Sequence, residues 1–212
     1  MPIPWNDDPP GSAPTIVANL QRVGTTIVAE AGLRRAPTVA MAQAWHRQTY
    51  TGVALPVGYY AGEVRDSDPR FPELIGYEVR IGAAQGALSA SVPAELVSFE
   101  RGAQAVIARL DGILPSGLAP GTIAELQGVL QAAALLHGDW IRIHPFANGN
   151  GRTARLWANW VVVRYGLPFF VALRPRPAGI IYAAAASSSM RGDHRAMATA
   201  FYDMLRSRLA NP

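Results

Sequence analysis

Apolar residues in this chain recur at helical spacing in one stretch after another, each fenced by proline or glycine, and alternate at strand spacing in only one. That pattern points to a mainly α bundle carrying a single β-hairpin. Ile16, Val17, Leu20, Val23, Ile27 and Val28 mark a first helix from about Pro14 to Leu33. Pro37 stands at the start of a second, through about Gln48, with Thr51 and Gly52 closing it. Pro93 opens a third, to about Leu114. Thr122 and Glu125 form a capping-box pattern ahead of an apolar stripe of Ile123, Leu126, Val129, Leu130, Ala133, Leu136 and Trp140. Another apolar helix is expected up to Tyr165, stopped by Gly166 and Pro168, and two more near residues 177–189 and 193–209. The alternating stretches are Tyr77 to Ile81 and Ala87 to Val92, which flank Gly82 and Gly86 and read as a hairpin over about residues 76–92. Residues 53–73, with Pro56, Gly58, Gly62, Pro69 and Pro72, read as a long connecting loop. Residues 1–13 read as an irregular proline-rich arm, and 14–212 as one domain.

Composition narrows the functions open to such a bundle. Half of the 212 residues are apolar and 16% are charged, which suits a compact globule. No run approaches the ~20 apolar residues that a bilayer span needs. The opening residues lack the apolar core of a secretory signal, and cytoplasm is the expected compartment. With no cysteine, the chain has no disulfide, thiol nucleophile or cysteine-based zinc site. All 19 basic residues are arginine, as codon bias in a GC-rich bacterial genome would give. They are scattered rather than interleaved with aromatics, so the net charge of +4 does not by itself indicate a nucleic-acid surface.

The chemistry concentrates in residues 144–155, His144-Pro-Phe-Ala-Asn-Gly-Asn-Gly-Arg-Thr-Ala-Arg155. Gly149 and Gly151 allow close backbone approach at the start of a helix, where unpaired N–H groups and the positive end of the helix dipole face outward. Such an end is ready to hold an anion. Arg152 and Arg155, three apart, lie on one helix face and suit a di- or triphosphate. His144, at the other end of the loop, can take a proton from an attacking hydroxyl. Each feature alone also has a plain structural reading: a glycine-rich turn between helices, solvated arginines, a structural histidine. Their occurrence within twelve residues is what argues for a site. A Walker loop is excluded by the lack of lysine, and no zinc-binding His-Glu-x-x-His or Gly-x-Ser-x-Gly elbow is present.

This stretch resembles the signature of the Fic family, His-Pro-Phe-x-(Asp/Glu)-Gly-Asn-Gly-Arg-x-x-Arg, at every fixed position except Asn148, which replaces the acid. The resemblance implies a Fic-type helical bundle with a hairpin flap, and a protein adenylyltransferase that moves AMP from ATP to a Ser, Thr or Tyr hydroxyl of a target protein. It implies His144 as general base, an anion hole of Gly149, Asn150 and Gly151, and Arg152 and Arg155 on the distal phosphates. Tyr182 is similar to an aromatic that lies against the nucleoside, with Ile181 where a second tyrosine often stands and Ser189 where some members have an asparagine near adenine. Val79, Arg80, Ile81 and Gly82 resemble the flap that clamps the target chain by strand addition.

Two departures bear on activity. The family's acid helps to hold Mg²⁺, and Asn148 offers one neutral oxygen in its place, a weak metal position. This leaves open a weak or inactive nucleotide- or protein-binding module, or an enzyme using another phosphate-containing donor. Thr26 to Glu30 also matches the first half of a self-inhibitory helix motif, Ser/Thr-x-x-x-Glu-Gly/Asn, with Ala31 at its end. The resemblance implies that Glu30 pairs with Arg155, and that regulation runs through this helix or a separate antitoxin. The plain alternative is that Glu30 is a solvated helix charge.

Overall fold

The computed structural model describes residues 3–82 and 84–211. Among them are seven α-helices and one two-stranded sheet: α1 (Ala13–Gly32), α2 (Val39–Thr49), β1 (Arg80–Ile81), β2 (Ala84–Gln85), α3 (Val92–Ile113), α4 (Ile123–Ile143), α5 (Asn150–Arg164), α6 (Ile180–Ser189) and α7 (Arg195–Ala210). The chain is a mainly α bundle with one hairpin, as its periodicity indicates.

Helix α4 is the axis. Its capping box forms as expected, with Thr122 accepting from the Glu125 amide and the Glu125 carboxylate from Thr122. Its buried stripe runs from Val129 to Ile143, and it packs against α3, α5, α6 and α7. Ile123 is outside that stripe, 76% exposed, because the first turn projects beyond the core. On α1 the buried face is Ile16, Leu20, Val23 and Ile27, while Val17 and Val28 face solvent. Trp45, Trp140, Trp157 and Trp160 fill the centre, with Trp45 and Trp157 edge-on at 4.8 Å.

Three local expectations change. Helix α2 begins at Val39, because Thr38 is extended and its side chain accepts from the Met41 amide, so Pro37 lies before the cap. The hairpin is tighter than the alternation suggested, with Arg80 opposite Gln85 and Ile81 opposite Ala84. Its second arm is not residues 87–92: the Ala87 amide donates to the Arg142 carbonyl at the end of α4, and Ser89–Ser91 is a 3₁₀ turn leading into α3. A tertiary partner for the backbone has overridden a strand-like pattern. Finally, the segment ahead of α1 has no regular structure, yet Trp5 is 6% exposed and joins Ile16, Leu20, Tyr50, Tyr60 and Leu74 in a second, smaller core.

Candidate active site

Helix α4 ends where the signature begins. His144 is its C-cap, in the left-handed conformation at φ 51°, and this turns the following loop back toward α5. The imidazole Nδ1 faces the Ile141 carbonyl. That bond requires a proton on Nδ1 in the neutral ring, so Nε2 carries the lone pair. Nε2 has no hydrogen-bond partner among the described residues. Burial lowers the His144 pKa to about 4, with the Ile141 bond opposing and the Arg65 charge assisting. At neutral pH this is an unprotonated base.

The loop is pinned from within. Asn150 Oδ1 accepts the Phe146 amide and its Nδ2 donates to the Phe146 carbonyl, both at 2.9 Å. The Asn150 side chain is therefore spent on loop geometry, and only its backbone remains for an anion. The amides of Asn150 and Gly151 donate to nothing among the described residues, and they open α5. Gly149, at φ 77°, turns the chain where no side chain fits: a Cβ would stand 2.5 Å from Tyr50 Oη and 2.6 Å from His46 Nε2. Those two groups come from α2 and its C-cap and form the back wall. His46 accepts the Gly62 amide on Nδ1 at 2.9 Å, so Nε2 carries the proton given to the Asn148 carbonyl at 3.0 Å. Its ring stacks on Phe146, with centroids 3.8 Å apart.

Arg152 and Arg155 both rise from the first turns of α5, buried at 9% and 5% exposure. Arg152 Nη1 donates to Tyr50 Oη at 2.8 Å and to Asp7 Oδ2 at 2.7 Å. Arg155 Nη2 donates to the Leu173 carbonyl at 2.9 Å, while its Nε is buried and unpaired. Among the described residues no carboxylate pairs with Arg155. Asn148 is already engaged: its Oδ1 accepts the Gly149 amide at 2.8 Å and its Nδ2 donates to the Trp5 carbonyl at 2.7 Å.

The other residues expected at the site divide. Arg80 and Ile81 form β1, and the register makes Arg80 and Gln85 the non-hydrogen-bonded pair, so the N–H and C=O of Arg80 face the outer edge. Val79 belongs to the same hairpin, its carbonyl accepting the Gly86 amide, and Gly82 begins the turn. Tyr182 is 3% exposed, with its hydroxyl 2.8 Å from His137 Nε2 and Arg176 over its ring, so it is a core residue behind Arg155 rather than an open stacking face. Ser189 is wholly buried, and Ile181 is 70% exposed. Glu30 accepts from Trp45 Nε1 at 2.8 Å and does not reach Arg155.

One residue that tunes the site carries no signal in the sequence. Arg65 lies in the loop before the hairpin, its side chain fully buried. Its guanidinium donates to the carbonyls of His144, Tyr77, Ala87 and Ile143 at 2.8 to 3.0 Å. It thereby clips the root of the hairpin to the general-base candidate. Gly86 presses close enough that a Cβ would meet the His144 Cβ at 2.8 Å.

The imidazole, the two free amides and the two buried arginines thus lie together where α4 passes through the signature loop into α5. The sequence model of the Fic/DOC family matches residues 37–162, and the chain belongs to that family. A uridine 5'-monophosphate transferase of Xanthomonas campestris is 37% identical over 62 residues, 29% of this chain and 12% of the relative. The protein adenylyltransferase Fic of Nematostella vectensis is 48% identical over 44 residues, 21% and 10% of the two chains. The chain thus spans about a tenth of the length of these curated relatives. Among solved structures, a Fic-domain signaling protein of Bacteroides thetaiotaomicron superimposes with a TM-score of 0.60 at 22% identity, covering 90% of this chain and 69% of its own. The VirB-translocated effector BepC of Bartonella tribocorum, solved with AMPPNP, gives 0.54 at 19% identity, covering 88% and 86%. These likenesses establish the fold. No helix among the described residues is long and apolar enough to cross a membrane.

Proposed function

We propose that the chain is a nucleotidyltransferase that moves AMP from ATP to a hydroxyl of a target protein. The observation that carries this reading is Arg155, a buried guanidinium with no anionic partner among the described residues, next to Arg152 and the open amides of Asn150 and Gly151. Burying an unpaired cation is costly, and an incoming phosphate relieves that cost. The curated relatives named adenylyltransferase support the class of reaction.

In this reading the target's hydroxyl oxygen attacks the α-phosphorus of ATP as its proton passes to His144 Nε2. The bond from that phosphorus to the β-bridging oxygen breaks, and pyrophosphate leaves with its charge on Arg152, Arg155 and the loop amides. The outer edge at Arg80 would receive the target as an added strand and bring its hydroxyl to the base. Asn148 gives a metal ion one neutral oxygen that already accepts the Gly149 amide. Among the described residues no three His, Cys, Asp or Glu side chains are grouped to hold an ion. Mg²⁺ arriving here would therefore be held by the phosphates of its nucleotide rather than by the protein. In this reading the loop would meet phosphate rather than base and would not itself select the nucleotide, and the relative named uridine 5'-monophosphate transferase supports a different donor as a second reading.

The test is a transfer assay with labelled ATP, and with labelled UTP in parallel, on target-containing lysate. His144→Ala should lower transfer by about 10²- to 10⁴-fold, the usual worth of a positioned base. Nucleotide affinity by calorimetry should stay unchanged, because the base acts on the acceptor. Undiminished transfer by the variant would remove His144 from the mechanism.

A further inference from the structure

The segment ahead of α1 lies on the site. Trp5 is seated edge-on against Tyr50 and His46, at centroid distances of 4.8 and 5.7 Å. The backbone on each side of it is held: Tyr60 Oη donates to the Ile3 carbonyl at 3.0 Å, and Asn148 Nδ2 to the Trp5 carbonyl at 2.7 Å. The chain then delivers two carboxylates. Arg152 Nη1 donates to the Asp7 carbonyl at 2.8 Å and to Asp7 Oδ2 at 2.7 Å, and its Nη2 stands 3.5 Å from Asp8 Oδ2. Arg174 Nη2 reaches both Asp8 oxygens, at 3.0 and 3.1 Å. Tyr50 Oη lies 3.3 Å from the Asp7 carboxylate.

We propose that residues 3–8 are an internal ligand of the phosphate site, an acidic peptide anchored by its indole, which nucleotide phosphates must displace. The proposal rests on the nucleotide reading above. A carboxylate offers Arg152 the same pairing that a phosphate does: anionic oxygens in the plane of the guanidinium. Tethering raises the local concentration of such a ligand to the millimolar range, so a modest intrinsic affinity suffices to compete. The nucleotide then binds only the fraction of molecules in which the segment is lifted, and its apparent affinity falls by that fraction.

The departure at position 148 belongs to the same arrangement. Asn148 gives the Trp5 carbonyl a proton, which the carboxylate usual at this signature position does not have. An acid there would also face the Asp7 and Asp8 charges. Asn148 is thus a latch for the segment as well as a weaker metal position.

The experiment compares the full chain with its Asp7→Ala/Asp8→Ala variant, whose changed side chains are partly exposed and leave the core intact. ATP affinity is measured by calorimetry. The state of Trp5 is followed by fluorine NMR of fluorotryptophan-labelled protein, its resonance assigned by loss in Trp5→Phe. The variant should bind ATP about tenfold or more tightly than wild type, in proportion to the closed fraction. Saturating the wild type with ATP should move the Trp5 resonance to its solvent-exposed position. Equal affinities, with Trp5 still buried in the ATP-saturated wild type, would overturn the proposal and leave the nucleotide reading standing. If neither protein binds ATP while Trp5 is released in the variant, the nucleotide reading fails and the competition fails with it.

Discussion

Arg152 and Arg155 share a face of one helix and are buried to similar depths, but they meet opposite surroundings. For Arg152, burial pulls the pKa down and is outweighed by Tyr50, Asp7 and Asp8, so it ends above its ordinary value. For Arg155, burial lowers the pKa, Tyr182 only partly offsets this, and Arg152 and Arg176 push it further down. Within the pair, the chain thus supplies anionic partners to Arg152 alone among the described residues. Stability has been given up at Arg155, whose buried charge finds a carbonyl but no anion among the described residues.

Each arginine also has a neutral histidine near it, and acid should break both halves together. His46 is pushed down to about 3, by burial first, with the Asn148 bond opposing and Arg152 assisting. His137 is likewise pushed down to about 3, by burial first and then by Arg155. His144 is lowered to about 4. In the unfolded chain these groups would titrate near ~6.5, so between those values the folded state binds fewer protons. Their contribution is thus fully present above pH ~6.5 and is lost as the pH falls toward the folded values. Three such groups give a slope of up to about 4 kcal/mol per pH unit once the unfolded histidines are charged. Urea denaturation between about pH 7 and 4.5 should show a steeply falling midpoint. A flat profile would mean that the histidines are not held neutral.

Methionine substitutions at the two arginines sharpen the contrast. Arg152→Met leaves Asp7 and Tyr50 without their cation, while Asp8 keeps Arg174, and should cost about 1–2 kcal/mol, modest because the carboxylates are partly solvated. Arg155→Met removes a buried charge with no counter-ion and should be neutral or stabilising by up to about 1 kcal/mol. Both should weaken ATP binding about tenfold or more, the worth of a charged phosphate contact. Equal destabilisation by the two changes, read from urea midpoints, would show that Arg155 has a stabilising partner after all.

The sequence makes the bundle easy to read because each helix is specified locally. Thr122 and Glu125 set one start, Gly166 and Pro168 one stop, and the buried stripe of α4 follows its period. The signature loop is local for the same reason, since twelve consecutive residues hold the imidazole of His144, the free amides and the two arginines. The groups that tune the loop are not legible. Arg65 sits among glycines and prolines and bonds carbonyls that only the fold brings near. Asp7 and Asp8 look like ordinary polar residues of an irregular arm until Arg152 and Arg174 are seen to face them. Residues 87–92 mislead in the opposite direction: their alternation is real, but the Ala87 amide finds a helix end instead of a strand.

The smallest expected effect bears on whether Arg155 truly lacks an anion. Half of a self-inhibitory motif lies at Thr26 to Glu30, and its glutamate would be the natural counter-ion for this arginine. In the structure Glu30 instead accepts the indole N–H of Trp45, which is wholly buried against Trp157. Glu30→Gln keeps an oxygen for that indole and removes only the charge. Stability should change by less than about 1 kcal/mol, as for one hydrogen bond made weaker but not lost. ATP affinity and auto-modification, read by calorimetry and mass spectrometry, should stay within about twofold of wild type, a difference below ~0.5 kcal/mol. A marked rise in both would mean that Glu30 reaches Arg155 in solution, so that each arginine has an acidic partner from its own chain. The asymmetry between Arg152 and Arg155 would then vanish, and inhibition would act from both sides of the phosphate site.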